Sequence, residues 1–457
     1  MSHRERTATP DKLLSPQSVN FKDALYFWFK LGFISFGGPA GQISIMHQEL
    51  VENRHWISER RFLHALNYCM LLPGPEAQQL AIYIGWLLHK TWGGIIAGVL
   101  FVLPSLFILV LLSWLYLALG DLPWVAGLFY GIKPAVTAIV IQAAYRIGSR
   151  ALKNGVLWAI AAASFVAIFA LNVPFPAIVA SAALIGFLGS RIMPVKFKTG
   201  GHGSSAKSYG PAVIDDHSPR LEHTHFSWAR LFSIVMIGAL LWLMPMAALT
   251  MLYGWGHALT QMGWFFTKAA LLTFGGAYAV LPYVYQGAVE SFHWLVPQQM
   301  IDGLALGETT PGPLIMVVAF VGFVAGWSQA LFGSDHLLLA GTVAASVVTY
   351  FTFLPSFLFI LAGGPLVEST HGNLKFTAPL TAITAAVVGV VLNLALFFAW
   401  HVLWPQGIEG QFDFMAAVIC VIALFALFRY QIGVIRIIVA SGITGLLLTL
   451  IKTAGLG

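Results

Sequence analysis

Apolar residues run along this chain in long blocks separated by short polar loops. Stretches such as Trp92–Leu119 and Thr377–Trp404 exceed the ~20 residues needed to cross a bilayer. Apolar runs, Gly/Pro breaks and charged loops predict six membrane elements near 23–46, 62–90, 92–118, 124–146, 155–171 and 175–190. Seven more follow near 228–250, 257–285, 299–328, 337–362, 376–403, 414–428 and 432–452. The long polar stretch 191–227 between the two sets reads as a soluble linker. Each half carries a Pro-Gly-Pro in its second element, which is therefore either a broken span or a re-entrant pair. The pattern predicts an all-α polytopic membrane protein with about thirteen transmembrane elements.

Composition agrees. Of 457 residues 58% are hydrophobic and 9% are charged, against about 25% charged in a soluble domain. The net charge of +6 does not point to nucleic acid, because most basic residues lie between apolar spans. With Arg4, Arg6, Lys12 and Lys22 placed in the cytoplasm, the loop holding Arg146, Arg150 and Lys153 also falls inside. So do the linker and the loop holding Arg429 and Arg436. The loop 47–61 falls outside in this count yet mixes three acids with Arg54, Arg60 and Arg61, which fits poorly. An odd number of elements puts the C-terminus outside. Cys69 and Cys420 lie in apolar stretches and read as small core residues, and the first 20 residues read as a surface tail rather than a cleaved leader.

A shift of 238 residues superposes the two halves, with 13 identities over positions 30–75 and no gap. Lys30 falls on Lys268, Phe36-Gly37-Gly38 on Phe274-Gly275-Gly276, His55-Trp56 on His293-Trp294, and Pro73-Gly74-Pro75 on Pro311-Gly312-Pro313. With an insertion, Leu103-Pro104-Ser105 then matches Leu354-Pro355-Ser356. Six elements plus the unmatched one at 228–250 place the second copy upside down. Inverted repeats characterise secondary transporters, although duplication without transport leaves the same trace.

The chemistry concentrates at the breaks. Gly-Gly and paired prolines interrupt helices, and a broken helix offers free N–H groups and a positive dipole end near mid-membrane, which suits an anion. Candidate substrate-binding residues are Phe36, Gly37, Gly38, Gly275, Gly276, Pro73, Gly74, Pro75, Pro311, Gly312 and Pro313, with Thr309 and Thr310 beside them and Gln78 and Gln79 as neutral hydrogen-bonding groups. Lys30 and Lys268, inside apolar helices, are candidates to balance substrate charge, and snorkelling to the interface is the alternative. Glu76 and Glu308 are candidates to carry a coupling proton. Lys133 ranks behind them, His55-Trp56 and His293-Trp294 read as interfacial, and His202, His217, His223 and His225 read as surface histidines. No Walker loop, nucleophile elbow or zinc motif occurs, so neither direct ATP drive nor an enzyme is expected, and no cofactor or metal.

The segments FISFGGPAGQISIMHQELVENRHWISERRFLHALNYCMLLPGPEAQQLAIYIGW, LLTFGGAYAVLPYVYQGAVE, GLALGETTPGPL and FLPSFLFILAGGP resemble the long-chain members of the chromate ion transporter family. The resemblance covers both halves. It implies export of chromate across a bacterial plasma membrane, chromate resistance, drive by the proton motive force and competition by sulfate. With the residue pattern above, the expected order is a cytoplasmic tail at 1–22, a first chromate-transporter repeat at 23–190, a cytoplasmic linker at 191–227, an extra connecting helix at 228–250 and an inverted second repeat at 257–457. A homodimer is compatible with it. Ala277-Tyr278 stands where the first half has Pro39-Ala40, so equal binding by both halves is in doubt. A sulfate or other oxyanion carrier is the alternative within the class, and a membrane enzyme or sensor the alternative outside it.

Overall fold

A computed structural model describes residues 18–36, 38–120, 122–197, 209–216, 221–369, 377–407 and 409–453. The described residues form an all-helical membrane protein. Its first half runs α1 (Phe21–Ile34), α2 (Gly38–His47), α3 (Glu59–Cys69), α4 (Glu76–Leu119), α5 (Pro123–Ala151), α6 (Gly155–Phe169) and α7 (Phe175–Ile192). After α8 (Trp228–Tyr253) come α9 (Ala258–Leu272), α10 (Ala277–Tyr285), α11 (Pro297–Thr309), α12 (Val317–Ser328), α13 (Leu337–Ser369), α14 (Thr377–Leu403), α15 (Phe414–Arg429) and α16 (Val434–Thr453).

The first elements do not cross the membrane. With 14 and 11 residues, α1 and α3 reach ~21 and ~17 Å at helical rise, short of a hydrocarbon core of about 30 Å. Inside α4 the backbone turns at His89 and Lys90. A Cβ on Gly85 would stand 2.5 Å from the Gly93 carbonyl oxygen, so arms 76–88 and 91–119 pack back to back. At the bottom of the first arm, His89 meets the start of α1, its Nε2 3.0 Å from the Val19 carbonyl and its ring 5.3 Å from Phe21. The linker touches the same face. Ile214 pairs with Ile57, Asp216 accepts from the Ser58 hydroxyl at 2.7 Å, and His223 lies 3.0 Å from the Trp86 carbonyl. Both ends of α1–α2 and of α3 with arm 76–88 therefore lie on the linker face. They are re-entrant hairpins whose tips are the Phe-Gly-Gly and Pro-Gly-Pro breaks.

Helix α8, 26 residues and ~39 Å long, carries the chain to the opposite face. There Tyr253 stacks on His257 at 4.7 Å and touches Phe332 at 6.3 Å, joining the start of α9 to the loop after α12. Thus α9–α10 and α11–α12 are re-entrant from that side. The correspondence extends to backbone detail. The π-helical turns Gln48–Asn53 and Gln286–Ser291 coincide, and His55 and His293 both hold positive φ, 50° and 52°. Trp56 and Trp294 are buried behind those turns rather than interfacial, Trp56 against Phe27 at 5.4 Å.

Of the two options the Pro-Gly-Pro breaks left open, the contacts favour the re-entrant one. The four broken elements read as re-entrant hairpins; among the described residues α4, α5, α7, α8, α13, α14 and α16 are long and apolar enough to cross a membrane, and α6 and α15, of 15 and 16 residues, are shorter apolar helices beside them. Four hairpins leave the parity unchanged. They do move the loop 47–61 from the far face to the linker face, which removes the misfit of its three arginines. The linker is also less free than expected, since Ile214 and Phe197 are buried. Burial of His223 holds its pKa below the usual imidazole value. Residues 198–208 and 217–220, with His202 and His217, lie outside the described residues.

Candidate functional site at the crossing of the hairpin tips

The four tips meet. The Gly74 N–H donates to the Thr273 carbonyl at 2.7 Å, and the Gly312 N–H to the Ser35 carbonyl at 2.8 Å. Since Ser35 corresponds to Thr273 and Gly74 to Gly312, the exchange is reciprocal and relates the repeats by a pseudo-two-fold.

The two kinds of break do different work. Gly74 has φ 128° and a Cβ there would meet Ser356 Oγ at 2.5 Å; Gly312 has φ 103° and would meet the Ser105 Cβ at 2.7 Å. The Pro-Gly-Pro turns, with Pro73, Pro75, Pro311 and Pro313, are thus close-packed crossings. Gly38 and Gly276 also hold positive φ, 68° and 98°, but a Cβ on either would meet nothing within 4 Å. Open space lies beside the Phe-Gly-Gly tips. Gly275 and Phe36 are half-buried there, and Gly37 lies outside the described residues.

Polar groups at the crossing are unspent. Gln42 directs Nε2 at the Ser35 and Gly312 carbonyls (3.3 and 2.5 Å), and Gln79 directs Nε2 at the Pro73 carbonyl (2.7 Å), so each leaves its Oε1 without a partner. Both atoms of the Gln78 amide and the hydroxyls of Ser35 and Ser105 are unpartnered, and all five residues are at most 1% exposed. Such atoms are costly to bury unless something hydrogen-bonds them. Helices starting at the tips add backbone donors. Pro75, Gly276 and Pro313 precede α4, α10 and the turn Leu314–Met316 without a side-chain cap, whereas Asn20, Ser58 and Asn154 cap helices elsewhere. The Thr309 and Thr310 hydroxyls donate to their own helix carbonyls at 3.1 and 3.2 Å.

The crossing does not include the two lysines. Lys30 turns away from the buried face of α1 (Ala24, Phe27, Trp28, Leu31) and lies exposed beside Phe29 and Phe33. Lys268 is on the equivalent stripe of α9, its ammonium 5.6 Å above the Trp264 ring. Lys30→Met is accordingly expected to leave anion transport within about two-fold, measured as vesicle flux. A loss of tenfold or more would return the lysine to the site.

Glu308, 6% exposed, hydrogen-bonds the buried Tyr278 hydroxyl. Their repeat equivalents are Met70 and Ala40, so both partners depart from the repeat together. Glu76 opens the first turn of α4. Sequence reasoning passed over Gln42, whose signal was an amide one turn beyond a glycine break.

The profile described as Chromate transporter matches residues 22–187 and 260–446, both repeats. The chain belongs to the chromate transporter family. It is a transport protein, not an enzyme. A chromate transport protein of Pseudomonas aeruginosa is 31% identical over 439 residues, covering 94% of this chain and 93% of that one. One from Cupriavidus metallidurans is 29% identical over 389 residues, 84% and 83% of the two chains. An uncharacterized transporter of Bacillus subtilis is 30% identical over 134 residues, 29% of this chain and 68% of that protein. No solved structure matches.

Proposed function

We propose that this member of the family is a secondary active transporter that exports chromate from the bacterial cytoplasm by alternating access, driven by the proton motive force, and so confers chromate resistance. The observation that carries the reading is the reciprocal junction of inverted hairpin tips, which gathers unspent donors deep in the membrane. A tetrahedral oxyanion would be met there by helix N-termini, the Gln78 amide and the Ser35 and Ser105 hydroxyls, with no ammonium group in the binding set. Gln42 and Gln79 offer oxygen, which suits a bound water or a hydroxyl on the ligand. Glu308, beside these tips and paired to Tyr278, is the leading proton carrier, and Glu76 the second.

The basic content of the linker and, now, of the loop 47–61 supports a cytoplasmic linker face, hence a cytoplasmic N-terminus and a C-terminus on the outer side of the plasma membrane. Relatives named as chromate transport proteins over nearly the whole chain support chromate as substrate. Sulfate shares its charge and shape, so an oxyanion carrier that takes chromate incidentally is the second reading.

Inverted vesicles with an inward-acid gradient are expected to accumulate chromate, and sulfate is expected to compete. Accumulation that ignores the gradient would remove the proton drive. No accumulation at all would remove export.

A further inference from the structure

Two charged clusters outside the crossing join the repeats on opposite faces. On the linker face, Arg61 of α3 reaches Glu368 near the end of α13 at 2.5 Å, and the Tyr83 hydroxyl donates to the same carboxylate at 2.6 Å. On the other face, Asp302 of α11 lies 3.4 Å from the Lys133 ammonium of α5 and accepts from the Tyr116 hydroxyl of α4 at 2.8 Å. Both carboxylates are nearly fully buried, with side chains 5% and 3% exposed. The repeat register sets Asp302 at the level of His64, one turn from Arg61, and Tyr116 at the level of Val367, beside Glu368. Two members of each cluster thus sit at repeat-equivalent helix levels although their types differ, while Tyr83 and Lys133 have no counterpart in the other cluster.

We propose that Arg61–Glu368–Tyr83 and Lys133–Asp302–Tyr116 are the contacts that close the crossing to each face and that open in alternation. The inference rests on the alternating-access reading above. In each cluster the carboxylate comes from the second repeat and its cation and tyrosine from the first, so any rocking of one repeat against the other separates them. Arg61 and Asp302 stand roughly 13–18 Å along their helices from the Pro-Gly-Pro tips, between the crossing and their own faces. Gly74, Gly312, Ser105 and Gln78 are buried while both clusters are formed. A buried ion pair suits this task. Its charges are matched only in contact, and parting them admits water, which gives two discrete states rather than a gradual leak.

The test places a reporter thiol at the crossing, Ala77→Cys, in a chain with Cys69→Ala and Cys420→Ala, and labels it with a membrane-impermeant thiol reagent in vesicles of either orientation. Glu368→Gln is expected to raise labelling from the linker face about tenfold and not from the other. Asp302→Asn is expected to do the reverse, and the exchange Arg61→Glu with Glu368→Arg to restore the parent pattern. Thermal melting of each variant checks folding, and charge exchange that restores the pattern excludes a merely unfolded Glu368→Gln. Equal labelling of parent and folded variants from both faces, with normal chromate flux, would overturn the closing contacts alone. Absence of oxyanion flux in the parent protein would instead overturn the transporter reading.

Discussion

Gly312→Ala is expected to reduce transport at least tenfold and to lower stability by about 2–6 kcal/mol. Two costs add. A non-glycine residue at φ 103° sits outside the left-handed minimum and is strained by about 1–3 kcal/mol. Its Cβ would also come within 2.7 Å of the Ser105 Cβ, and overpacking of this kind costs about 1–3 kcal/mol. The neighbour is a short side chain on a helix, so relief requires the two hairpin systems to part, which loosens the Gly312–Ser35 bond. Ser105→Gly in the same chain should recover stability in part, because it removes the contact and leaves the backbone strain. Thermal melting in detergent together with vesicle flux measures both. Parent-like stability and flux in Gly312→Ala would show that the tips are not the rigid junction described here.

Glu308→Gln is expected to abolish accumulation driven by a proton gradient, a loss of more than tenfold, while chromate–chromate exchange across the same membrane persists. The side chain is nearly isosteric, so the Tyr278 hydroxyl keeps a partner and the crossing keeps its packing. What disappears is the ability to take up and release a proton. Tyr278→Phe removes the partner and leaves the carboxyl, so it is expected to retain gradient-driven transport at a reduced rate. The first half supplies an internal comparison, since it manages the equivalent places with Met70 and Ala40. If Glu308→Gln still concentrates chromate on a gradient, Glu76 becomes the carrier to examine.

The repeat and both break motifs were legible in the residues, because identities at Lys30, Phe36, Pro73 and their partners mark equivalent backbone. Re-entrance was not. The pair α1–α2 spans about as many apolar residues as one crossing helix, and hydropathy counts length without noticing that the chain doubles back. Only the arginines of loop 47–61 protested. The placement of the lysines was hidden for a related reason. Lipid-facing and protein-facing residues of α1 are both apolar, so amphipathic periodicity did not show that Lys30 sits on the outer stripe. Gln42 escaped because its repeat partner is Val280, and repeat identity is blind to groups that serve one half alone. The charged clusters were hidden similarly, their members lying far apart in the chain and differing in type.

Helix α8 buries only Gly238 and Met246 among its described residues, yet the arrangement of every other element depends on it. It packs on α9 and α13, the Trp242 indole N–H donating to the Thr267 hydroxyl at 2.9 Å and the Tyr350 hydroxyl to the Leu241 carbonyl at 2.6 Å. In the inverted-repeat reading proposed above, this single added pass between two like units is what turns the second copy over. Apolar substitutions on the exposed faces of α8 are therefore expected to be tolerated as long as its length and hydropathy are kept.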